Sequence, residues 1–371
     1  MITRRSFARH IGGIAAAGPF LGEGFLARRA LAEIPHKTDI VWLDSNENPE
    51  GPPRSSIDAI TQGAAATARY HFDEFDAFTA AIAKSEELKP DQVMFGVGSS
   101  EVLNAAVGAF TSASRPLITA VPTFEVPVEL TRNLGRNVIQ VALTEKWGFP
   151  VKTLAEQAAN AGGGLIYVCN PNNPTSSLTP KADIAWLASN LPANTVLLLD
   201  EAYIHFARPA DVESGMRYVQ QDKNVLVTRT FSKIYGMAGA RVGFGCARAE
   251  LIRAMMPFKD NVVPILGLRA ATAALNEAPV IVPKRRATMA KLRGELCAWL
   301  RQKNFAYIDA HANFVMFDIR RDVREFGAAM LRKGVAVGRP FPPMNTMLRI
   351  TLGTDQEMAK FREVFGQVYS G

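Results

Sequence analysis

From residue 96 to residue 246 the chain alternates short apolar runs with stretches whose apolar positions recur every three or four residues. The apolar runs are 117–121, 138–142, 165–169, 196–199, 225–228 and 242–246, rich in Val, Ile and Leu. Runs of that length bounded by polar turns predict strands buried on both faces. The stretches between them, 101–110 and 181–189 among them, predict helices. Strand and helix in alternation predict an α/β fold: a mostly parallel sheet flanked by helices.

Past Met256-Pro257 the rhythm changes. A long helix with basic surface positions is expected over 283–303. Short strands follow at 314–319, 335–338 and 347–352, interleaved with helices at 323–333 and 355–369. That pattern predicts a smaller α+β domain, against which the extended segment 40–53 is expected to pack. The expected division is a leader over 1–32, an arm and part of the small domain over 33–70, a large domain over 71–260 and a small domain over 261–371. No internal repeat or low-complexity tract interrupts it.

The 371 residues, 48% of them hydrophobic, are enough for two domains. The formal charge of +7 is unevenly placed. Arg4, Arg5, Arg9, Arg28 and Arg29 stand against Glu23 in the first 32 residues, leaving +3 on the rest. No basic stripe survives outside that stretch, so no nucleic-acid partner is expected. The stretch itself reads as an export leader: Thr3-Arg4-Arg5-Ser6-Phe7 is a twin-arginine pattern, an apolar run covers 11–26, and Ala30-Leu31-Ala32 offers a cleavage point before Glu33. Pro19 and Glu23 break the apolar run, which argues against a permanent membrane span. A periplasmic or otherwise exported protein is expected; the competing reading is a basic tail on a cytoplasmic one. Cys169, Cys246 and Cys297 are isolated, form no disulfide framework and are expected to pack in the core.

The candidate chemistry centres on Lys233. It sits in Thr230-Phe231-Ser232-Lys233, directly after the strand-like 225–229, with Arg241 eight positions on. A hydroxyl beside a lysine, then an arginine, suits a phosphorylated aldehyde: the amine forms a Schiff base, and hydroxyl and guanidinium hold the phosphate. Upstream, the apolar run 196–199 ends in Asp200-Glu201-Ala202-Tyr203, placing an acid where a pyridine nitrogen would meet the carboxyl edge of a parallel sheet. Gly98-Ser99-Ser100 opens a helix whose free amides and dipole suit an anion. In this order the segments point to pyridoxal 5'-phosphate. Arg349 lies within the alternating strand Met347-Leu348-Arg349-Ile350-Thr351, where a guanidinium is costly unless an anion meets it. His71, His205 and His311 show no ligand spacing, and no metal site is expected.

These motifs, with Asn46-Glu47-Asn48-Pro49, Pro122-Thr123-Phe124 and Asn172-Asn173-Pro174-Thr175, resemble those of fold-type I pyridoxal-phosphate aminotransferases of class I/II, in particular the histidinol-phosphate aminotransferase branch. The likeness covers nearly the whole chain after the leader. It implies a transaminase moving an amino group between a small-molecule donor and a 2-oxo acid. By resemblance, Lys233 carries the cofactor and then shuttles a proton, with Asp200 and Tyr203 as its catalytic companions. Asp200 meets the ring nitrogen, Tyr203 and Asn173 bond the ring hydroxyl, and Phe124 stacks on the ring. Ser99, Ser100, Thr230, Ser232 and Arg241 hold the phosphate. Tyr70 reaches the phosphate in a neighbouring subunit, which implies a homodimer. Arg349 receives the substrate carboxylate, or a phosphate in its place, with Asn46 and Arg339 on the substrate side.

Some positions depart from the family pattern. Phenylalanine replaces the usual tyrosine at Phe124, Ser176 stands where a glycine commonly ends its motif, and no tyrosine precedes Tyr70. Arg339 is displaced by one position from a family arginine. These departures, with an exported address, favour an α-amino acid over histidinol phosphate as donor. Threonine-phosphate decarboxylases share the scaffold and provide a second enzymatic reading. An exported, non-catalytic pyridoxal-phosphate carrier is the third.

Overall fold

The computed structural model describes residues 40–370; the expected leader lies outside the described residues. Eleven strands appear in chain order among them: β1 (Val41–Leu43), β2 (Val93–Val97), β3 (Leu117–Val121), β4 (Val138–Ala142), β5 (Gly164–Cys169), β6 (Thr195–Asp200), β7 (Val225–Thr230), β8 (Val242–Cys246), β9 (Phe314–Asp318), β10 (Val335–Val337) and β11 (Met347–Thr351). Strands β2 to β8 form one seven-stranded sheet in the order β2-β8-β7-β6-β5-β3-β4. All neighbours pair in parallel except β8, which runs antiparallel to both β2 and β7. Every residue of β5, β6, β7 and β8 is buried. That is why these strands read as unbroken apolar runs rather than alternating ones. The apolar pattern does not reveal β2, a sheet-edge strand interrupted by Gly96.

The remaining strands make two small pairings. β9 and β11 are antiparallel, with Arg349 opposite Met316, while β1 lies parallel to β10. Segment 40–53 therefore joins the C-terminal elements through β1. The helix Val323–Arg332 is capped by the Asp322 carboxylate, which accepts from the Arg324 and Glu325 amides. Most buried apolar residues form one cluster reaching from Leu43 through the sheet to Phe365, and Ile308, Met316 and Phe341 form a small second one.

The long helix differs from expectation. It spans Ala278–Gln302 and contains Pro283, which the sequence pattern takes as its first turn. Proline there forgoes one backbone bond to the preceding turn. Good helix formers (Lys, Arg, Ala, Met and Leu) dominate the next turns and carry the helix past it. Cys169 and Cys246 are buried, Cys297 is partly buried, and all three are free thiols.

Candidate active site

The sheet delivers the candidate residues to one edge. Asp200 is the last residue of β6, and Lys233 follows the end of β7, whose Thr228 pairs in register with Asp200. Phe124 follows β3, Asn173 follows β5, and Ser99 follows β2. All five segments leave the carboxyl ends of strands running in one direction, where open α/β sheets gather ligands.

Asp200 is buried and held by three donors. Tyr167 Oη donates to Oδ2 at 3.1 Å, and Oδ1 accepts from Thr228 Oγ1 and the Ala202 amide, each at 3.2 Å. Burial pushes its carboxyl up to about 6 in spite of these donors. Behind it, Glu201 accepts from the Gly215 amide at 2.6 Å and from Arg229 Nη2 at 3.0 Å, while Arg229 Nη1 also reaches Glu86 at 2.8 Å. This buried network anchors the strand end that presents Asp200.

Lys233 Nζ donates to the Ser45 carbonyl at 3.2 Å and lies 5.6 Å from the centre of the Tyr203 ring. Burial pulls its ammonium down to about 8, and the positive charges of Arg349 and Arg241 add to this against the pull of Glu47 and Asp200. Tyr203 Oη accepts from Asn46 Nδ2 at 3.1 Å, so its own hydrogen is free to donate elsewhere. Burial raises its phenol pKa and keeps it protonated.

A cradle for an anion lies beside the lysine. The helix Ser99–Phe110 begins after Gly98, which has φ +70° and donates its amide to the Arg241 carbonyl at 3.0 Å. A Cβ at Gly98 would run into the Arg241 guanidinium, so only glycine lets that cation lie against the helix N-terminus. Arg241 Nη1 lies 3.4 Å from Ser232 Oγ, and the Ser232 amide donates to Thr230 Oγ1 at 3.0 Å. Hydroxyls, free helix amides and a guanidinium thus converge next to a primary amine. With the buried carboxylate of Asp200, this donor set fits a phosphorylated pyridine aldehyde.

Arg349 is buried in β11. Its Nη1 donates to Asn173 Oδ1 and its Nη2 to the Asp44 carbonyl, each at 2.6 Å, while Nε has no partner among the described residues. Burial brings its pKa down to about 10. Asn46, with φ +53°, joins the group: its amide donates to Thr351 Oγ1 at 2.9 Å. Arg339 lies over the Phe341 ring and forms an ion pair with Glu125.

Three further residues of the expected site, or beside it, have these surroundings. Tyr70 is 67% exposed and stacks on Phe72 with ring centres 5.2 Å apart. Phe124 is half-buried and packs against the core. Ser176, in place of the usual glycine, has φ +61° and is fully buried. Its Oγ accepts from the His311 and Ala312 amides at 3.1 and 2.9 Å, an interaction glycine would lack. Sequence reasoning missed Tyr167, Thr228, Glu125 and the backbone carbonyls of Asp44 and Ser45. A signal existed only for Tyr167, a polar-tipped ring in a wholly apolar strand, which needs a buried partner.

This constellation is that of a transaminating enzyme. The model of the family "Aminotransferase class I and II" matches residues 38–365, and the chain belongs to that family. It is a pyridoxal-phosphate-dependent aminotransferase. It is 32% identical to the histidinol-phosphate aminotransferase of Symbiobacterium thermophilum over 88% of this chain and 89% of that one. It is 30% identical to histidinol-phosphate aminotransferase 2 of Legionella pneumophila, over 90% of each. Among solved structures it is similar to the histidinol-phosphate aminotransferase of Sinorhizobium meliloti in complex with pyridoxal-5'-phosphate. The TM-score is 0.84 and the identity 25%, with 96% of each chain covered.

Proposed function

We propose that the protein moves an amino group from an α-amino acid to a 2-oxo acid, with Arg349 receiving the carboxylate of each. The observation that carries this reading is the state of Arg349: buried, bonded at both Nη atoms to amide oxygens, and bare at Nε among the described residues. A buried guanidinium without a carboxylate partner is satisfied when an anion enters. Pyridoxal phosphate, when bound, supplies an aldehyde that condenses with amines and a protonated ring that accepts electrons.

The chain's own residues do the rest. Asp200 would hold a proton at the ring nitrogen. Ser99, Ser100, Thr230, Ser232 and Arg241 would bind the phosphate, Tyr203 and Asn173 would bond the ring hydroxyl, and Phe124 would pack on the ring. Lys233 Nζ, with its depressed proton affinity, takes and returns the proton at the donor α-carbon. Asn46 fixes Tyr203.

Steady-state assays with amino acids and with the corresponding amines that lack the α-carboxylate test this. Removing the carboxylate is expected to lower kcat/KM at least a hundredfold in the wild type and far less in Arg349→Gln. Equal losses in both would refute the role. Release of CO₂ in place of a 2-oxo acid would make the protein a decarboxylase. Histidinol phosphate as donor is a second reading, supported by the names of relatives that are 30–32% identical.

We also infer a homodimer in which Tyr70 reaches the partner's phosphate site; its exposure supports this. The twin-arginine leader supports export of the folded holoenzyme. Cell fractionation of the wild type and an Arg4→Lys/Arg5→Lys variant tests it: unchanged partition would refute export by that route.

A further inference from the structure

Arg285 lies buried two turns into the long helix Ala278–Gln302, outside the set of residues assigned to cofactor and substrate. Its guanidinium grips two backbone carbonyls from distant parts of the chain. Nη2 donates to the Gly51 oxygen at 2.7 Å and Nη1 to the Ile234 oxygen at 2.9 Å. Ile234 directly follows Lys233. Asn48 Nδ2 joins at the same Ile234 oxygen at 3.1 Å, and a Glu50 carboxylate oxygen lies 3.5 Å from Arg285 Nε. The turn that carries Gly51 closes from its amide to the Asn48 carbonyl at 3.1 Å, with Gly51 at φ +65°. This turn seats on Gly236, in the lysine loop. A Cβ at Gly236 would run into the Gly51 oxygen, so only glycine admits that carbonyl. The residues just before the turn form one wall of the site: the Asp44 carbonyl accepts from Arg349, the Ser45 carbonyl accepts from Lys233, and Asn46 donates to Tyr203.

We propose that Arg285 is a positioning residue: by gripping Gly51 and the residue after Lys233 in one guanidinium, it clasps the turn at 48–51 to the lysine loop and sets where the Lys233 amine lies. This rests on Lys233 as the lysine that captures the cofactor. A guanidinium suits the task because its N–H groups form a rigid planar fork, which an ammonium lacks. Without it, the Ile234 carbonyl keeps Asn48 as a donor, but the tie between that carbonyl and Gly51 is gone. Gly51 is only partly buried, so its carbonyl then turns to water and the turn lifts off Gly236. Arg285 acts on the amine only through these two stretches of backbone.

The test compares the full-length wild type with Arg285→Met and Arg285→Lys. Hydrogen exchange of the cofactor-free proteins is read at the Glu50, Gly51 and Gly236 amides, which bond to Asn48 Oδ1 and to the Asn48 and Lys233 carbonyls. Amides of β5, β6 and β7 serve as the reference. In Arg285→Met the three should exchange about tenfold faster while the reference amides keep their rates. Capture of pyridoxal phosphate by cofactor-free protein, trapped with borohydride at Lys233, should slow about tenfold. Arg285→Lys should fall between the two, since one ammonium cannot fork onto both carbonyls, and it replaces the methionine variant should that not fold. Exchange that rises equally throughout the sheet, or does not rise at all, would overturn the proposal. Capture at the wild-type rate in a protein with a loosened turn would overturn it as well. If the wild type forms no adduct at Lys233, the reading of that lysine fails instead, and exchange at Glu50, Gly51 and Gly236 still decides whether Arg285 is the clasp.

Discussion

Arg349 Nη1 donates to the Asn173 side-chain oxygen at 2.6 Å, tying the last strand to the loop after β5. The Asn173 amide thus faces Arg349 with its oxygen, which leaves its nitrogen as the donor for the proposed contact with the cofactor. A carboxylate in its place would pair with Arg349 and compete with the donor's own carboxylate. Asn173→Asp is therefore expected to raise the donor KM strongly and lower kcat/KM about a hundredfold or more. Steady-state kinetics check this, and an unchanged KM would contradict it.

The amine of Lys233 must be neutral to attack an aldehyde. With its pKa drawn down to about 8, the neutral fraction rises as pH passes through that value. Stopped-flow capture of pyridoxal phosphate by cofactor-free protein should accelerate about tenfold between pH 7 and pH 9 and level off above. Lys233→Ala should retain no covalent capture and no turnover. A rate that is flat across this range would count against the depressed pKa.

Asp200 makes the cofactor-free fold less stable than it could be. Its folded pKa of about 6 lies above the unfolded carboxylate value of about 3.9, so the native state binds more protons between these limits. Stability thus falls as pH rises from about 4 to 6, and the full cost of about 3 kcal/mol is present at pH 7. Asp200→Asn should raise the stability of the cofactor-free protein at pH 7 by about 2 kcal/mol and flatten its pH dependence between 4 and 6, while cutting turnover by about a thousandfold. Urea titrations at pH 4, 6 and 7 read the first effect. A destabilised Asp200→Asn protein at pH 7 would show that its hydrogen bonds to Tyr167 and Thr228 outweigh the buried charge.

At Ser176 two effects oppose each other. Its left-handed backbone favours glycine, but its hydroxyl satisfies the buried Ala312 amide and shares the His311 amide with its own carbonyl. Ser176→Ala keeps the unfavourable conformation and loses the hydroxyl, so it should destabilise by about 2 kcal/mol. Ser176→Gly relieves the backbone and should lose less. Thermal melting orders the two variants, and a more stable alanine variant would reject the explanation.

Tyr70 tests the inferred assembly. Light scattering should report about twice the chain mass. Homodimers of Tyr70→Ala should bind pyridoxal phosphate about tenfold more weakly. In mixed dimers of Tyr70→Ala with Lys233→Ala, one site of each pair should regain tight binding. A monomeric protein in solution would end the shared-site reading.

Much of this site is legible in the amino-acid sequence, because the information is local. The run 196–199 ends in Asp200, and the run 225–228 leads into Thr230, Ser232 and Lys233; each pairs a strand end with its chemistry within a few residues. Parallel packing then brings both to one edge. What is not legible is long-range. Tyr167 meets Asp200 across two strands, 33 residues apart, and Arg349 meets Asn173 across 176 residues. Hydrophobic periodicity says nothing about such pairs. The direction of β8 is equally hidden, since a strand buried on both faces has the same composition whichever way it runs. The helix through Pro283 shows propensity overruled by its surroundings.

The carbonyl of Asp44 and the guanidinium of Arg349 are 305 positions apart, yet bond at 2.6 Å. The neighbouring Ser45 supplies the acceptor for Lys233. The wall around the Lys233 amine is thus built from residues 44 and 45 together with residue 349, and a polypeptide that stops short of Arg349 lacks the contact that closes it.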